Sequence, residues 1–251
     1  MEPYVSGLLA TLLLTLRLAP AFAFAPPFTY VRAPATVRVL LSFGLAAWLA
    51  IPSQQNFAAI TLNAGSFVTA AFIELFLGVA LALSLQIAFA ALLTVGRTID
   101  FQVGFGLAVL ADPTLRTQMP LIGTLFAYAA AAVFFATGGP ADMLAIWRAS
   151  LEQMPLGTFA GELDLPALAA YIGSAFALSL GIAGGVLLVL FLTDLAIAFL
   201  SRTLPQMNVL LFGFQVKSIV LLITLPLVFG FSGALFLRLV RLATSSSLGL
   251  L

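Results

Sequence analysis

SRTLPQMNVLLFGFQVKSIV, residues 201–220, lies between two stretches too apolar for water, yet it gathers an arginine, a lysine, two glutamines, an asparagine and a proline. Proline stops a helix because it lacks an N–H and clashes with the preceding turn. Arginine and amide side chains can bond the backbone groups that a helix end leaves open. The stretch therefore reads as a turn between two apolar helices, with Arg202, Pro205, Gln206 and Asn208 at the turn itself. Lys217 stands inside the apolar run that follows, and Asp194 inside the one that precedes. At ~1.5 Å per helical residue both lie roughly 17 Å from the turn, at matching depth on adjacent helices. Ionisable groups in apolar spans are rare and usually paired, so an Asp194–Lys217 contact is expected. The spacing also allows each to face a different partner chain or a water-filled lumen.

Composition agrees with helices that live in lipid. Of 251 residues, 63% are hydrophobic and only 8% charged, against roughly a quarter charged in a soluble domain. The mean hydropathy is +1.19. No hydrophilic stretch is long enough for a separate soluble domain, so the chain reads as one membrane domain with short loops. A formal net charge of +1 argues against a nucleic-acid partner. With no cysteine and no histidine, disulfides, Cys/His zinc sites, histidine haem ligation and Ser-His or Cys-His dyads are all excluded.

Hydropathy marks about six apolar segments, near 4–28, 37–51, 67–95, 119–136, 167–200 and 207–237. Against the ~20 residues that cross a bilayer, the second is short, and the third and fifth are too long unless tilted, bent or projecting. The first looks like a retained helix rather than a signal peptide: Glu2 and no positive residue precede its apolar run, and Arg17 follows it. Pro20, Pro26 and Pro27 break that segment, and Pro120 fits the first turn of the fourth. Residues 137–166 hold Asp142, Glu152, Glu162 and Asp164 against Arg148 alone and read as an outer loop. That would put the C-terminus outside too, whereas Arg238 and Arg241 vote for inside. The conflict points to a broken or re-entrant segment, or to a chain that does not sit in the bilayer like an ordinary polytopic protein.

A short apolar run fits the first of these. Residues 96–118 read GRTIDFQVGFGLAVLADPTLRTQ. Arg97 and Asp100 stand before an apolar run of about half the crossing length, and Asp112, Pro113 and Arg116 stand after it. Non-helical backbone at membrane depth is tolerated only in protein or beside a cavity. The run reads either as a re-entrant loop whose bulky side chains form a hydrophobic constriction, or as a short interfacial helix. Asp112-Pro113 fits an N-cap followed by proline at the first helical position. Glu74 and Gln86 sit inside the third segment, suited to hydrogen bonds with a neighbouring helix or to a proton relay. Lys217-Ser218 ends like a phosphate-binding loop but has no glycine before the lysine. The carboxylates lack a protease context, so an enzyme is not expected, nor a cofactor.

The polar turn resembles the C-terminal hallmark of the FliR/SctT family of type III secretion export-gate subunits: Ser201-Arg202, Pro205 to Asn208, Gly213-Phe214 and Lys217. Arg17 to Pro20, Glu74 with Gly78, Asp100-Phe101-Gln102 with Gly104 and Gly106, Asp112-Pro113, Gly138-Gly139 and Ser150 to Pro155 resemble it too, in order, over nearly the whole chain.

That resemblance implies an all-α membrane protein of bent and broken helical hairpins. A FliP-like part of about 1–165, carrying the loop 96–118, would be followed by a FliQ-like hairpin of about 166–251. The chain would sit in a helical hetero-oligomeric gate with FliP and FliQ, with FlhB and FlhA as further partners, in the bacterial inner membrane at the flagellar basal body and partly raised towards the periplasm. Phe101, Phe105, Leu107 and Leu110 would form a channel plug, unfolded flagellar proteins the cargo, and a proton motive force and a separate ATPase the energy source. A secondary transporter with Asp194 and Lys217 as its coupling site is the alternative that midplane charges and broken helices allow.

Overall fold

A computed structural model describes residues 3–57, 64–105, 120–159, 164–203, 206 and 208–249. Seven α-helices occupy them: α1 Pro3–Phe24, α2 Ala35–Phe57, α3 Ala64–Val103, α4 Leu121–Ala136, α5 Gly139–Gln153, α6 Leu165–Thr203 and α7 Val209–Gly249. A single 3-10 turn, Phe28–Tyr30, joins α1 to α2. No strand occurs among the described residues. The chain is an all-α membrane protein. The helices α3, α6 and α7 have 40, 39 and 41 residues, roughly twice the ~20 that cross a bilayer. They are apolar around their whole circumference rather than along one stripe, as helices buried in lipid or protein are.

The helix ends follow local chemistry. Asp164 accepts the Ala167 N–H at 2.9 Å and Asn208 accepts the Leu211 N–H at 3.3 Å, each side chain meeting one of the open donors at the start of α6 and α7. Pro20 and Pro226 lie inside α1 and α7, neither of which is interrupted there.

The chain packs as two compact units, one of Met1–Ile87, Phe134–Ile172 and Val240–Leu251, the other of Ala88–Val133 and Gly173–Leu239. In the first, α1 lies along α2 and buries Leu13, Leu14 and Leu18. Phe28 is wedged among Phe22, Phe134 and Phe135, and Phe22 leans on the buried Trp147. In the second, Phe126 presents its edge to Phe229 and Phe236, which stack on each other at 5.9 Å. Rings in such arrangements add contact energy beyond their buried area.

Three boundaries differ from the sequence reading. The third apolar segment does not stop near 95: α3 runs to Val103, so the first part of 96–118 is helix, not loop. Val95, Gly96, Ile99, Asp100 and Val103 are buried while Arg97 and Thr98 face outward, and this 3–4 residue spacing keeps one face of the helix packed through the polar letters. The stretch 137–166, read as a loop, contains α5. Its buried Gly139, Met143, Ile146, Trp147 and Ser150 recur at the same spacing. The short second segment is the apolar part of a helix that extends to Phe57.

Candidate functional site

Two polar clusters interrupt this apolar body. In the first unit, Arg17 of α1 and Glu74 of α3 meet with both side chains fully buried. The Arg17 Nε–H donates to Glu74 Oε2 at 2.6 Å and Nη2 donates to Oε1 at 2.9 Å, the two-pronged geometry that makes arginine–carboxylate pairs strong. The remaining donors reach the end of α5: Nη1 to the Ser150 carbonyl at 3.1 Å, and both Nη1 and Nη2 to the Met154 carbonyl at 3.0 Å. Both carbonyls lie at the negative end of the α5 dipole, and the Ser150 carbonyl also accepts the Met154 N–H at 2.9 Å. Glu74 Oε1 also accepts the Gly157 N–H at 2.9 Å. The cluster is closed, each charged atom bonded by protein.

In the second unit, polar groups gather where α3 ends and α4 begins. Asp100 in the last turn of α3 accepts the Ile122 N–H at 3.2 Å, so a carboxylate from one helix caps the start of another. Its other oxygen is buried with no hydrogen-bond partner among the described residues. Gly96 and Gly123 let the two backbones touch: a Cβ on Gly96 would overlap the Gly123 Cα, and one on Gly123 would stand 2.7 Å from the Leu93 carbonyl oxygen. From α7, Lys217 is paired with Asp194 of α6 and donates to the Gln102 carbonyl at 2.9 Å. Beside these groups lies an open apolar cavity of about 610 Å³ whose walls include Phe105, Leu121, Leu125, Tyr128, Leu221 and Leu222.

The residues singled out in the sequence fall as follows. Asp194 and Lys217 are in contact, and Glu74 is joined to Arg17. Gln86 is half-buried, its carbonyl oxygen unbonded among the described residues. Arg97 and Phe101 project outward from α3, and Phe105 sets its ring edge-on to Phe214 at 6.1 Å. Leu107, Leu110, Asp112, Pro113, Arg116 and Pro205 lie outside the described residues. Arg202 and Gln206 are exposed, and of the turn residues Asn208 is the one seen capping a helix. Sequence reasoning noted Arg17 and Glu74 separately but did not join them. Two opposite charges in separate apolar segments were the available signal. Among the described residues no three of Asp, Glu, His or Cys come together in a way that could hold a metal.

Among the described residues neither polar cluster sets a nucleophile beside a base. The arrangement offers apolar walls, polar tethers at helix ends, and long apolar faces left uncovered. Within an apolar 18-residue window of each helix, only 17% of α7 and 33% of α6 is buried by the chain itself, against 56% for α3.

Comparison with known proteins supplies the context. The family described as "Bacterial export proteins, family 1" matches residues 8–243. The chain is 30% identical over 227 residues to the flagellar biosynthetic protein FliR of Aquifex aeolicus, covering 88% of this chain and 87% of that one. Against FliR of Bacillus subtilis it is 29% identical over 214 residues, covering 83% and 81%. It is also similar to the Yop proteins translocation protein T of Yersinia pestis, 26% identical over 186 residues, covering 72% and 71%.

Proposed function

The chain belongs to family 1 of the bacterial export proteins, the family of the flagellar FliR proteins and of secretion-apparatus proteins such as the translocation protein T, and from this we propose that it is a structural channel subunit of the flagellar type III protein export gate. The observation that carries the reading is the match along nearly the whole chain, and the uncovered faces of α6 and α7 support it. Phe191, Phe199, Leu222 and Phe231 stand out from them, the last 87% exposed. Such faces suit a subunit that is completed by other chains. FliP and FliQ are the proposed neighbours, with FlhB and FlhA beyond them, and unfolded flagellar proteins the cargo. The location is the bacterial inner membrane at the flagellar basal body, with part of the chain raised towards the periplasm. Residues to about 165 form the FliP-like part and those from about 166 the FliQ-like hairpin.

Passage is controlled, in this reading, by the last turn of α3 and the residues that follow it. Phe101 and Phe105, with Leu107 and Leu110, supply the apolar side chains of a plug. Such a plug excludes water and ions, yet yields to an unfolded chain without specific bonds having to break.

Native mass spectrometry tests the proposal: the tagged chain is extracted in mild detergent from cells that also express the candidate FliP and FliQ partners. A single copy within a large hetero-oligomer is the expected result. A lone monomer or homodimer, with those partners present but unbound, overturns it and turns attention to a secondary transporter using Asp194 and Lys217.

A further inference from the structure

The end of α3 and the start of α4, between which the chain passes through residues 104–120, are held in two directions. The first direction joins α3 to α4. The Gly96–Gly123 contact brings the backbones together, and one turn further along α3 the Asp100 carboxylate bonds the Ile122 N–H. Neither of these ties the end of α3 to α6 or α7. Lys217 does. Its ammonium donates to the carbonyl of Gln102, the residue before the last of α3, and is held by Asp194 of α6. An ammonium at a helix C-terminus meets open carbonyls and the negative end of the dipole. A lysine that merely needed a counter-ion would have Asp194 and nothing more, or would extend towards water. Here one ammonium joins α3, α6 and α7, and just beyond it Phe105 reaches Phe214.

We propose that Lys217 is a positioning residue, fixing the C-terminal end of α3 and hence the base of the 104–120 connection against α6 and α7, with Asp194 as the counter-ion that keeps the ammonium in place. What this base means for passage rests on the plug reading above. The positioning itself does not, and the test below reads positioning alone, with no export measured.

The chain has no native cysteine, so introduced pairs report without background. Phe105→Cys with Phe214→Cys reports the α3 end against α7. Gly185→Cys with Val228→Cys reports α6 against α7 elsewhere, where a Cβ on Gly185 would stand 3.2 Å from Val228 Cγ2. Oxidative cross-linking is measured in membranes of cells that express the chain with its candidate partners. Loss of a hydrogen bond to a charged group predicts that Lys217→Gln lowers the 105–214 yield about tenfold. The 185–228 yield should hold, and Lys217→Arg should restore most of the loss. An unchanged 105–214 yield overturns the proposal. So does an equal fall at both pairs, which marks general loss of packing. If Lys217→Gln fails to accumulate, Asp194→Asn carries the test: it leaves the ammonium but removes its counter-ion. A fall confined to 105–214 then supports the proposal, and no fall overturns it.

Discussion

The pairs Arg17–Glu74 and Asp194–Lys217 solve the same problem in opposite ways. Each sets one acid and one base on neighbouring apolar helices. Arg17 and Glu74 are wholly buried, and the guanidinium fork spends its donors on both carboxylate oxygens and on the end of α5. In the other pair the side chains are 40% and 19% exposed for Asp194 and Lys217, and Lys217 is the one partner of Asp194 among the described residues. The residue types follow the task. A planar fork with five donors suits a site that must bond several fixed acceptors, and a compact ammonium on a flexible stem suits one that bridges helices. The difference teaches that a charge in an apolar span is not one kind of feature. A closed pair is part of the packing, whereas an open pair leaves a carboxylate available on an outer face.

The largest effect should come from breaking the closed pair on one side. Arg17→Met leaves Glu74 buried with its strongest donors gone, and Glu74→Gln leaves a buried guanidinium without a counter-charge. Removing one partner of a buried pair costs about 3–5 kcal/mol. Each single variant should accumulate poorly and unfold at clearly lower temperature in detergent. The double variant Arg17→Met with Glu74→Met should recover part of the loss, because no charge is then stranded. Additive losses in the double variant would remove the distinction between closed and open pairs.

A smaller effect separates the charges from the backbone contacts beside them. Gly78 stands four residues after Glu74 and lies against the Arg17 carbonyl. Gly96 stands four residues before Asp100 and lies against Gly123. Overfilling a packed site costs about 1–3 kcal/mol, so Gly78→Ala and Gly96→Ala should destabilise similarly in thermal unfolding, whatever the fate of the charges. A harmless Gly78→Ala beside a severe Arg17→Met would show that the closed pair holds its helices without the close crossing.

The long helices were legible because apolar runs well beyond a crossing length have few alternatives, and the break at Pro205 to Asn208 announced the turn between α6 and α7. The matching depth of Asp194 and Lys217 could be counted from that turn. Three things could not be read. Arg97, Thr98 and Asp100 look like the start of a loop, because polarity along the chain conceals that Ile99, Asp100 and Val103 share a buried face. The acidic composition of 137–166 hid α5, whose buried positions are spread among charged ones. The Gln102 carbonyl bonded to Lys217 leaves no mark in the sequence at all, since a backbone acceptor has no letter.

Next in size comes the open pair. Asp194→Asn removes the counter-ion and keeps an acceptor of similar shape. Interhelical polar contacts in membrane proteins average ~0.6 kcal/mol and reach about 1.7, so thermal stability should fall only slightly. The comparison sharpens if Asp194→Asn is mild in the isolated chain but impairs recovery of the hetero-oligomer, because that would place the exposed carboxylate oxygen at a contact with another subunit. A loss as large as that of Glu74→Gln would instead put both pairs in one class.

The smallest effect belongs to an ion pair that neither helix packing nor burial supports. Arg148 donates to Glu152 at 3.3 Å, one turn apart on the outer side of α5, with side chains 77% and 68% exposed. Exposed pairs four residues apart on a helix contribute about 0.3–0.5 kcal/mol. Arg148→Ala should therefore leave thermal stability within a few tenths of a kcal/mol, and added salt should erase even that difference by screening. Arg148 lies on the same helix as Ser150, whose carbonyl takes part in the closed cluster, so the comparison holds the surrounding helix constant and varies burial. If Arg148→Ala cost as much as Asp194→Asn, exposure would not be what ranks these pairs. The number of fixed acceptors each cation reaches would then have to carry the ranking alone, since Arg148 reaches one, Lys217 two, and Arg17 the whole end of a helix.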